Sequence, residues 1–332
     1  MQSLGFELKN EANLATLTLD IIKSNEIEGE YLNQDQVRSS IARKLGLEIA
    51  GSVNSDRYVD GVVELMLEAT QNYSNEITKT RLCNWHAGLF PTGRSGIFKI
   101  QVADWRTVVN GPIQVVSGSI GKEKIHFQAP DAKLVNREMI HFLDWINASP
   151  NIDLIIKAAI AHLWFLTIHP FEDGNGRIAL AITDLLLARS DKSPQRFYSM
   201  SSQIHIKRNQ YYQILEDTQK GNLDVTNWIV WFLTTLIETI ESTELVLNRI
   251  FLKADFWNMH AKTIMNQRQK NILNKILDGF EGKLTSSKWA KITKCSKDTA
   301  VRDINDLVKK NILKKENAGG RSTSYELVKI DE

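Results

Sequence analysis

Apolar residues recur at three- and four-residue steps through Leu14–Ile22, Val62–Ala69, Leu134–Ile146, Leu154–Ile168, Ile178–Leu187 and Val225–Ile250. That spacing lines one face of a helix with about 3.6 residues per turn, so each stretch predicts a helix and the chain reads as mainly α. The most apolar stretch, Leu154–Ile168, carries Lys157 and His162. It is also shorter than the ~20 residues a membrane span needs, so it predicts a buried core helix and no membrane partner. One region breaks the helical period. From Ile113 to Phe127 the sequence IQVVSGSIGKEKIHF is β-branched near both ends with Ser-Gly and Ile-Gly-Lys between, which predicts a β-hairpin with an exposed tip.

After Phe256 the pattern shortens and turns basic. Residues 266–332 hold 15 Lys and Arg against 9 Asp and Glu, whereas the whole chain has a net charge of only +2. Helices are predicted over Gln267–Leu277, Ser286–Ile292 and Lys297–Asn311, followed by a Gly-rich hairpin around Asn317–Arg321. Thr285 or Ser286, and Ser296, stand where N-caps belong. Three short helices and a two-stranded wing predict a winged helix-turn-helix, small and α+β. The domain reading is therefore an N-terminal helical region at 1–90, a core at 91–255, a linker at 256–265 and the winged domain at 266–332.

Bulk composition narrows this only a little. A chain of 332 residues has room for about two domains. The near-neutral balance gives no global argument for nucleic acid. Cys83 and Cys295 lie far apart and make no metal-ligand pattern, and the N-terminus shows no basic-then-apolar signal, so the expected compartment is a reducing cytoplasm.

The candidate chemistry is concentrated in His169-Pro-Phe-Glu-Asp-Gly-Asn-Gly-Arg177. Gly174, Asn175, Gly176 and Arg177 end a loop and open the helix Ile178–Arg189. A helix N-terminus offers unpaired N–H groups and a partial positive charge. Two glycines let a phosphate approach the backbone, Asn175 can add a side-chain donor, and Arg177 can fork onto phosphate oxygens. Asp173 would repel that phosphate unless Mg²⁺ bridges the two. His169, expected to be held extended by Pro170, can accept a hydroxyl proton near neutral pH. Glu172 is expected to face solvent.

HPFEDGNGR resembles the signature of the Fic family, HxFx(D/E)GNGRxxR, whose members mostly transfer AMP from ATP to protein hydroxyls. The resemblance, running from about Leu14 to Leu252, implies a Fic-type helical bundle of the bacterial subgroup with an N-terminal inhibitory motif and a C-terminal winged helix. It makes His169 the base, Asp173 the Mg²⁺ ligand, Gly174, Asn175 and Gly176 the anion cradle, Arg177 a phosphate clamp and ATP the substrate. The family's second arginine falls at Leu180, which predicts a weakened transferase unless another arginine, such as Arg208 or Arg94, reaches the same phosphate. Ser24-Asn-Glu-Ile-Glu28-Gly29 is similar to the inhibitory pattern (S/T)xxxE(G/N), which implies that Glu28 enters the nucleotide site. The other reading of these residues is a helix cap, with Asn25 paired to Glu28. The 113–127 hairpin takes the place of the family's flap, along which a target protein docks, or else simply covers the core. Tyr211 and Tyr212 occupy the place of the adenine pocket, or else pack in the core.

Three functions follow from this reading: an adenylyltransferase held in check by Glu28, the reverse hydrolase, or a non-catalytic nucleotide sensor. For the winged domain, Lys297, Thr299, Arg302, Lys309, Lys310 and Arg321 suit DNA phosphates. Asp298, Asp303 and Asp306 on the same helix argue instead for protein contact, including a homodimer.

Overall fold

Every periodic stretch is a helix. The computed structural model describes residues 6–48, 51–108, 113–117, 124–148, 152–277, 282–316 and 323–328. It begins with four helices, α1 (Phe6–Ile27), α2 (Gln34–Leu45), α3 (Arg57–Gln71) and α4 (Lys79–Leu89). Two antiparallel hairpins follow, β1 (Arg94–Ser95) with β2 (Phe98–Lys99), and β3 (Gln114–Ser117) with β4 (Lys124–Gln128). The second is the predicted flap. Its register shifts between Val115 and Val116, and its expected tip, residues 118–123, lies outside the described residues.

Helices α5 (Ala132–Asn147), α6 (Leu154–Ile168), α7 (Asn175–Asp191), α8 (Met200–Ile206), α9 (Arg208–Gln219) and α10 (Thr226–Met259) complete this part. The centre is α7, buried without interruption from Asn175 to Ala188 and packed on α6, α3, α1 and α4. A helix buried all round sits inside a bundle rather than on its surface. Among the described residues no helix is long and apolar enough to cross a membrane.

One hydrophobic core runs from Leu14 on α1 to Leu236 on α10. The expected separation of residues 1–90 from 91–255 is therefore corrected: the buried faces of α1 and α3 are part of the same core as α6 and α7. The chain divides between Thr243 and Glu244, inside α10. The expected linker at 256–265 is corrected too. Phe256 and Met265 are buried in a second core with Ile272, Leu273, Trp289, Ile304 and Leu307.

The second unit comprises the end of α10 with α11 (Gln267–Leu277), β5 (Leu284–Thr285), α12 (Ser286–Thr293), α13 (Lys297–Lys309), β6 (Leu313–Lys315) and β7 (Ser324–Leu327). Its sheet is antiparallel with order β5-β7-β6. From α11 on, its elements run helix, strand, helix, helix, strand, strand. Thr285 and Ser296 are the caps, accepting from the backbone N–H groups of Lys288 and Thr299. The hairpin tip expected at 317–321, with Arg321, lies outside the described residues. One acid of α13 turns out to face inward, and a second is partnered but stays half-exposed. Asp303 is 5% exposed and pairs with Arg268 at 2.8 Å, while Asp306 bonds Lys310 and Gln269.

Candidate functional site

Helix α6 stops because His169 turns left-handed, at φ 52° and ψ 60°. The extended conformation expected before Pro170 is thus corrected. A non-glycine residue in this region stores about 1–3 kcal/mol of strain, which the surroundings must hold in place. Arg106 supplies that restraint: its Nε donates to the His169 carbonyl at 2.7 Å and its Nη2 to the Pro130 carbonyl at 2.6 Å. Its backbone N–H also donates to the Pro170 carbonyl.

From Pro170 to Gly174 the loop is braced from inside. Phe171 is fully buried and stacks on His86, with ring centroids 4.1 Å apart. Both ends of the Asn175 amide bond the Phe171 backbone, Oδ1 accepting its N–H at 3.0 Å and Nδ2 donating to its carbonyl at 2.9 Å. The phosphate donor expected from Asn175 is therefore a loop brace. Glu172 accepts the Gln101 N–H at 3.0 Å instead of facing solvent alone. Gly174 turns left-handed at φ 78°, and a Cβ there would also meet the Phe90 ring at 2.9 Å.

No side chain caps α7, so the N–H groups of its first turn are left for a ligand. At that place stands a carboxylate. A Cβ on Gly176 would come within 2.2 Å of Glu28 Oε1, so the Glu28 side chain lies directly against the glycine's open face. The geometry that delivers it is a helix C-cap. Glu30 N–H donates to the Asn25 carbonyl and Gly29 N–H to the Glu26 carbonyl, with Gly29 at φ 85°. These paired bonds around a left-handed glycine make a Schellman turn closing α1. The alternative of an N-cap pair fails, because Asn25 lies inside α1 and its Nδ2 donates to the Ile21 carbonyl. Ser24 is buried, and its hydroxyl also donates to the Ile21 carbonyl.

Glu28 projects into a cavity of about 560 Å³ lined also by His169, Gly176, Arg208, Tyr211, Tyr212 and Phe127 of the flap hairpin. Glu28 as a residue is exposed, yet the protein packed around its carboxylate desolvates it and holds its pKa above the usual glutamate value despite the charges of Arg177 and Arg208.

Arg177 is buried. Its Nη1 donates to Tyr58 Oη at 2.6 Å, its Nη2 stands 3.9 Å from Asp173 Oδ1, and its guanidinium lies over Phe90 at 5.1 Å. Its Nε has no partner. Tyr58 passes the contact on to Asn25 Oδ1 at 3.3 Å, tying the signature arginine to the turn that carries Glu28. Asp173 receives the Ser95 hydroxyl and the Gly174 N–H, and its side chain is 42% exposed.

Burial lowers the His169 imidazole to about 4, so it is neutral at pH 7. Nδ1 lies 3.3 Å from the Leu166 carbonyl, which can only accept, so Nδ1 carries the proton and Nε2 is free to take one. Tyr211 is 1% exposed, and its hydroxyl donates to His162 Nε2 at 2.8 Å, so its polar end belongs to the core. Tyr212 bonds the Ile27 carbonyl and lies under the Arg208 guanidinium at 5.5 Å. Leu180, 1% exposed, is packed in the main core. Sequence reasoning missed Tyr58, His86 and Arg106. Each is an isolated residue far from the signature, with no local pattern to single it out.

A family model described as Fic/DOC family matches residues 76–187, and one described as a domain of unknown function (DUF4172) matches residues 1–47. A protein adenylyltransferase, fic-1, of Caenorhabditis elegans is 33% identical over 94 residues, covering 27% of this chain and 18% of the worm protein. A probable protein adenylyltransferase of Aquifex aeolicus is 26% identical over 99 residues, covering 30% of this chain and 28% of that protein. The match thus spans less than a third of either relative. Among solved structures, a Fic family protein from Desulfovibrio desulfuricans G20 superimposes with a TM-score of 0.54 at 20% identity, covering 100% of this chain and 90% of its own. A Fic domain containing signaling protein from Bacteroides thetaiotaomicron gives the same score and identity over 75% of this chain and 90% of its own. Residues 76–187, which carry the signature loop, therefore match the Fic/DOC family model, and the helical bundle around them has the fold of these two solved structures.

Proposed function

We propose that this protein transfers AMP from ATP to a Tyr, Thr or Ser hydroxyl of a target protein, and that Glu28 holds the activity down. The observation that carries this reading is the Glu28 carboxylate lodged against Gly176 at the uncapped start of α7. An acidic side chain at a helix N-terminus marks an anion site, and a triphosphate competes for the same place. The target, docked along the flap, presents its hydroxyl to His169. Nε2 takes the hydroxyl proton as the oxygen bonds the α-phosphorus. The bond from that phosphorus to the bridging oxygen breaks and pyrophosphate leaves. Neutral imidazole, fixed by Arg106 and the Leu166 carbonyl, is the form able to accept that proton.

Asp173 offers a single half-exposed carboxylate, and among the described residues no three His, Cys, Asp or Glu gather as a metal cage. That suits Mg²⁺ carried in by the triphosphate, which takes one or two carboxylates plus substrate oxygens. When bound there the ion supplies charge neutralisation of the phosphates.

Incubation with α-labelled ATP tests the reading. Glu28→Gly is expected to label protein, and Glu28→Gly with His169→Ala is expected not to. Loss of label from a pre-modified target, dependent on Glu28, would support the reverse hydrolysis instead. Nucleotide binding without label in Glu28→Gly leaves only a sensor.

For the C-terminal unit we infer a duplex DNA partner. With Asp303 buried, the exposed positions of α13 are Lys297, Asp298, Val301, Arg302, Asn305 and Lys309, and the half-exposed Asp306 is neutralised by Lys310, so Asp298 is the one exposed acid of this helix. Arg and Asn are the side chains that read guanine and adenine edges. Binding of the whole chain to a mixed-sequence duplex, falling steeply with salt and lost in Arg302→Ala with Lys297→Ala, is expected. No binding at low salt would return this face to a protein partner.

A further inference from the structure

The signature lacks its second arginine, and the structure shows what cations remain. Leu180 sits in the apolar core, so the position three residues after Arg177 offers no charge. Arg177 itself is committed to Tyr58, Asp173 and Phe90 and is 6% exposed. Among the described residues lining the cavity with Glu28 and Gly176, Arg208 is the only lysine or arginine. It is exposed, at the first turn of α9, and its guanidinium rests over the Tyr212 ring at 5.5 Å. It lines the same cavity as Glu28.

Resting on the nucleotide-site reading above, we propose that Arg208 does the work left vacant at position 180. It attracts the Glu28 carboxylate in the resting protein and the terminal phosphates of ATP once Glu28 is displaced. Several features fit this double role. An arginine fork matches phosphate and carboxylate oxygens alike. The guanidinium stacked on an aromatic face is pre-oriented without being buried. The side chain comes from α9, a helix other than the one that forms the cradle. A cation that serves both states also couples them: whatever it contributes to phosphate binding, part of the same attraction stabilises the inhibitory carboxylate.

That coupling gives a test no packing role would satisfy. Affinities for ATP and AMP are measured by calorimetry on folded wild type, Glu28→Gly, Arg208→Ala and the double variant. In the Glu28→Gly background, Arg208→Ala is expected to weaken ATP about tenfold, the lower end for a charge-assisted hydrogen bond at an exposed site, and to leave AMP within about twofold. In the wild-type background the loss is expected to be smaller, because the same change also loosens the inhibitor. Arg208→Lys, which keeps the charge, is expected to recover part of the ATP affinity. Equal losses for ATP and AMP, or an ATP affinity unchanged in the double variant, overturn the role of Arg208. Absence of ATP binding to Glu28→Gly itself overturns the nucleotide site, a separate outcome.

Discussion

Three histidines set the behaviour of the site with pH. Burial lowers His86 and His169 to about 4 and His162 to about 3. Their bonds fix the neutral tautomers. Ala103 N–H donates to His86 Nδ1, so His86 Nε2–H donates to the Asp173 carbonyl. Thr183 gives its proton to the Ala179 carbonyl, so it accepts from His162 Nδ1–H. In the unfolded chain all three titrate near 6.5. Above that value both states are neutral and stability is level. Below it the unfolded chain binds protons first, so stability falls as pH drops from about 6.5 to about 4, by roughly 3 kcal/mol for each histidine at the lower end. Three such groups together rival the whole stability of a domain, about 5–15 kcal/mol. Denaturant melts at pH 7, 6 and 5 are expected to show this loss, with His86→Gln flattening it by about a third. A slope unchanged by His86→Gln would show that His86 charges freely in the fold. The signature itself was legible because its nine residues are contiguous and each has a chemical reason to be there. The residues that orient it were not, because Tyr58, His86 and Arg106 meet the loop only through the fold.

At the level of elements, Glu28 directly follows a helix that is anchored in the main core. Leu14, Leu17, Ile21, Ile22 and Ile27 of α1 are all buried in the main core, and Asp20 receives the Ser199 hydroxyl from the segment before α8. Burying five such side chains is worth about 1.5–3 kcal/mol each, roughly the stability of a domain in total. Under the role proposed for Glu28, relief of inhibition is therefore expected to be a movement of its side chain rather than of α1. Deletion of residues 1–30 is expected to leave the chain unfolded or aggregated, whereas Glu28→Gly stays folded and active. A soluble, labelling-competent deletion would refute this and make α1 a detachable lever. The same helices show where sequence patterns lose force. The long apolar faces of α1, α3, α5, α6, α7 and α10 announce themselves. α2 does not, because its buried face includes Ser39 and Ser40, whose hydroxyls are satisfied by the Val53 N–H and by Asp60. α4 is masked similarly by the buried polar His86. α13 misled for the opposite reason: Asp303 is polar in sequence yet buried, partnered by Arg268 and Asn266.

For the whole molecule, the two hydrophobic cores share no buried residue, one ending at Leu236 and the other beginning at Phe256. Each is large enough to cooperate internally, so calorimetry of the full chain is expected to resolve two transitions rather than one. A ligand that binds only native protein stabilises the unit that holds its site. On the Glu28→Gly variant, ATP at a hundred times its dissociation constant adds about 2.7 kcal/mol, which moves the melting of a unit of this size by roughly 5–10 °C. Only the larger transition is expected to shift with ATP. Duplex DNA is expected to shift only the smaller. If a single transition moved with either ligand, the units would be energetically coupled, and a partner bound by the C-terminal unit would act on the nucleotide site through that coupling. Two independent shifts would show that each unit answers its own ligand, so that a partner held by the C-terminal unit could influence the nucleotide site only by bringing the whole chain to it.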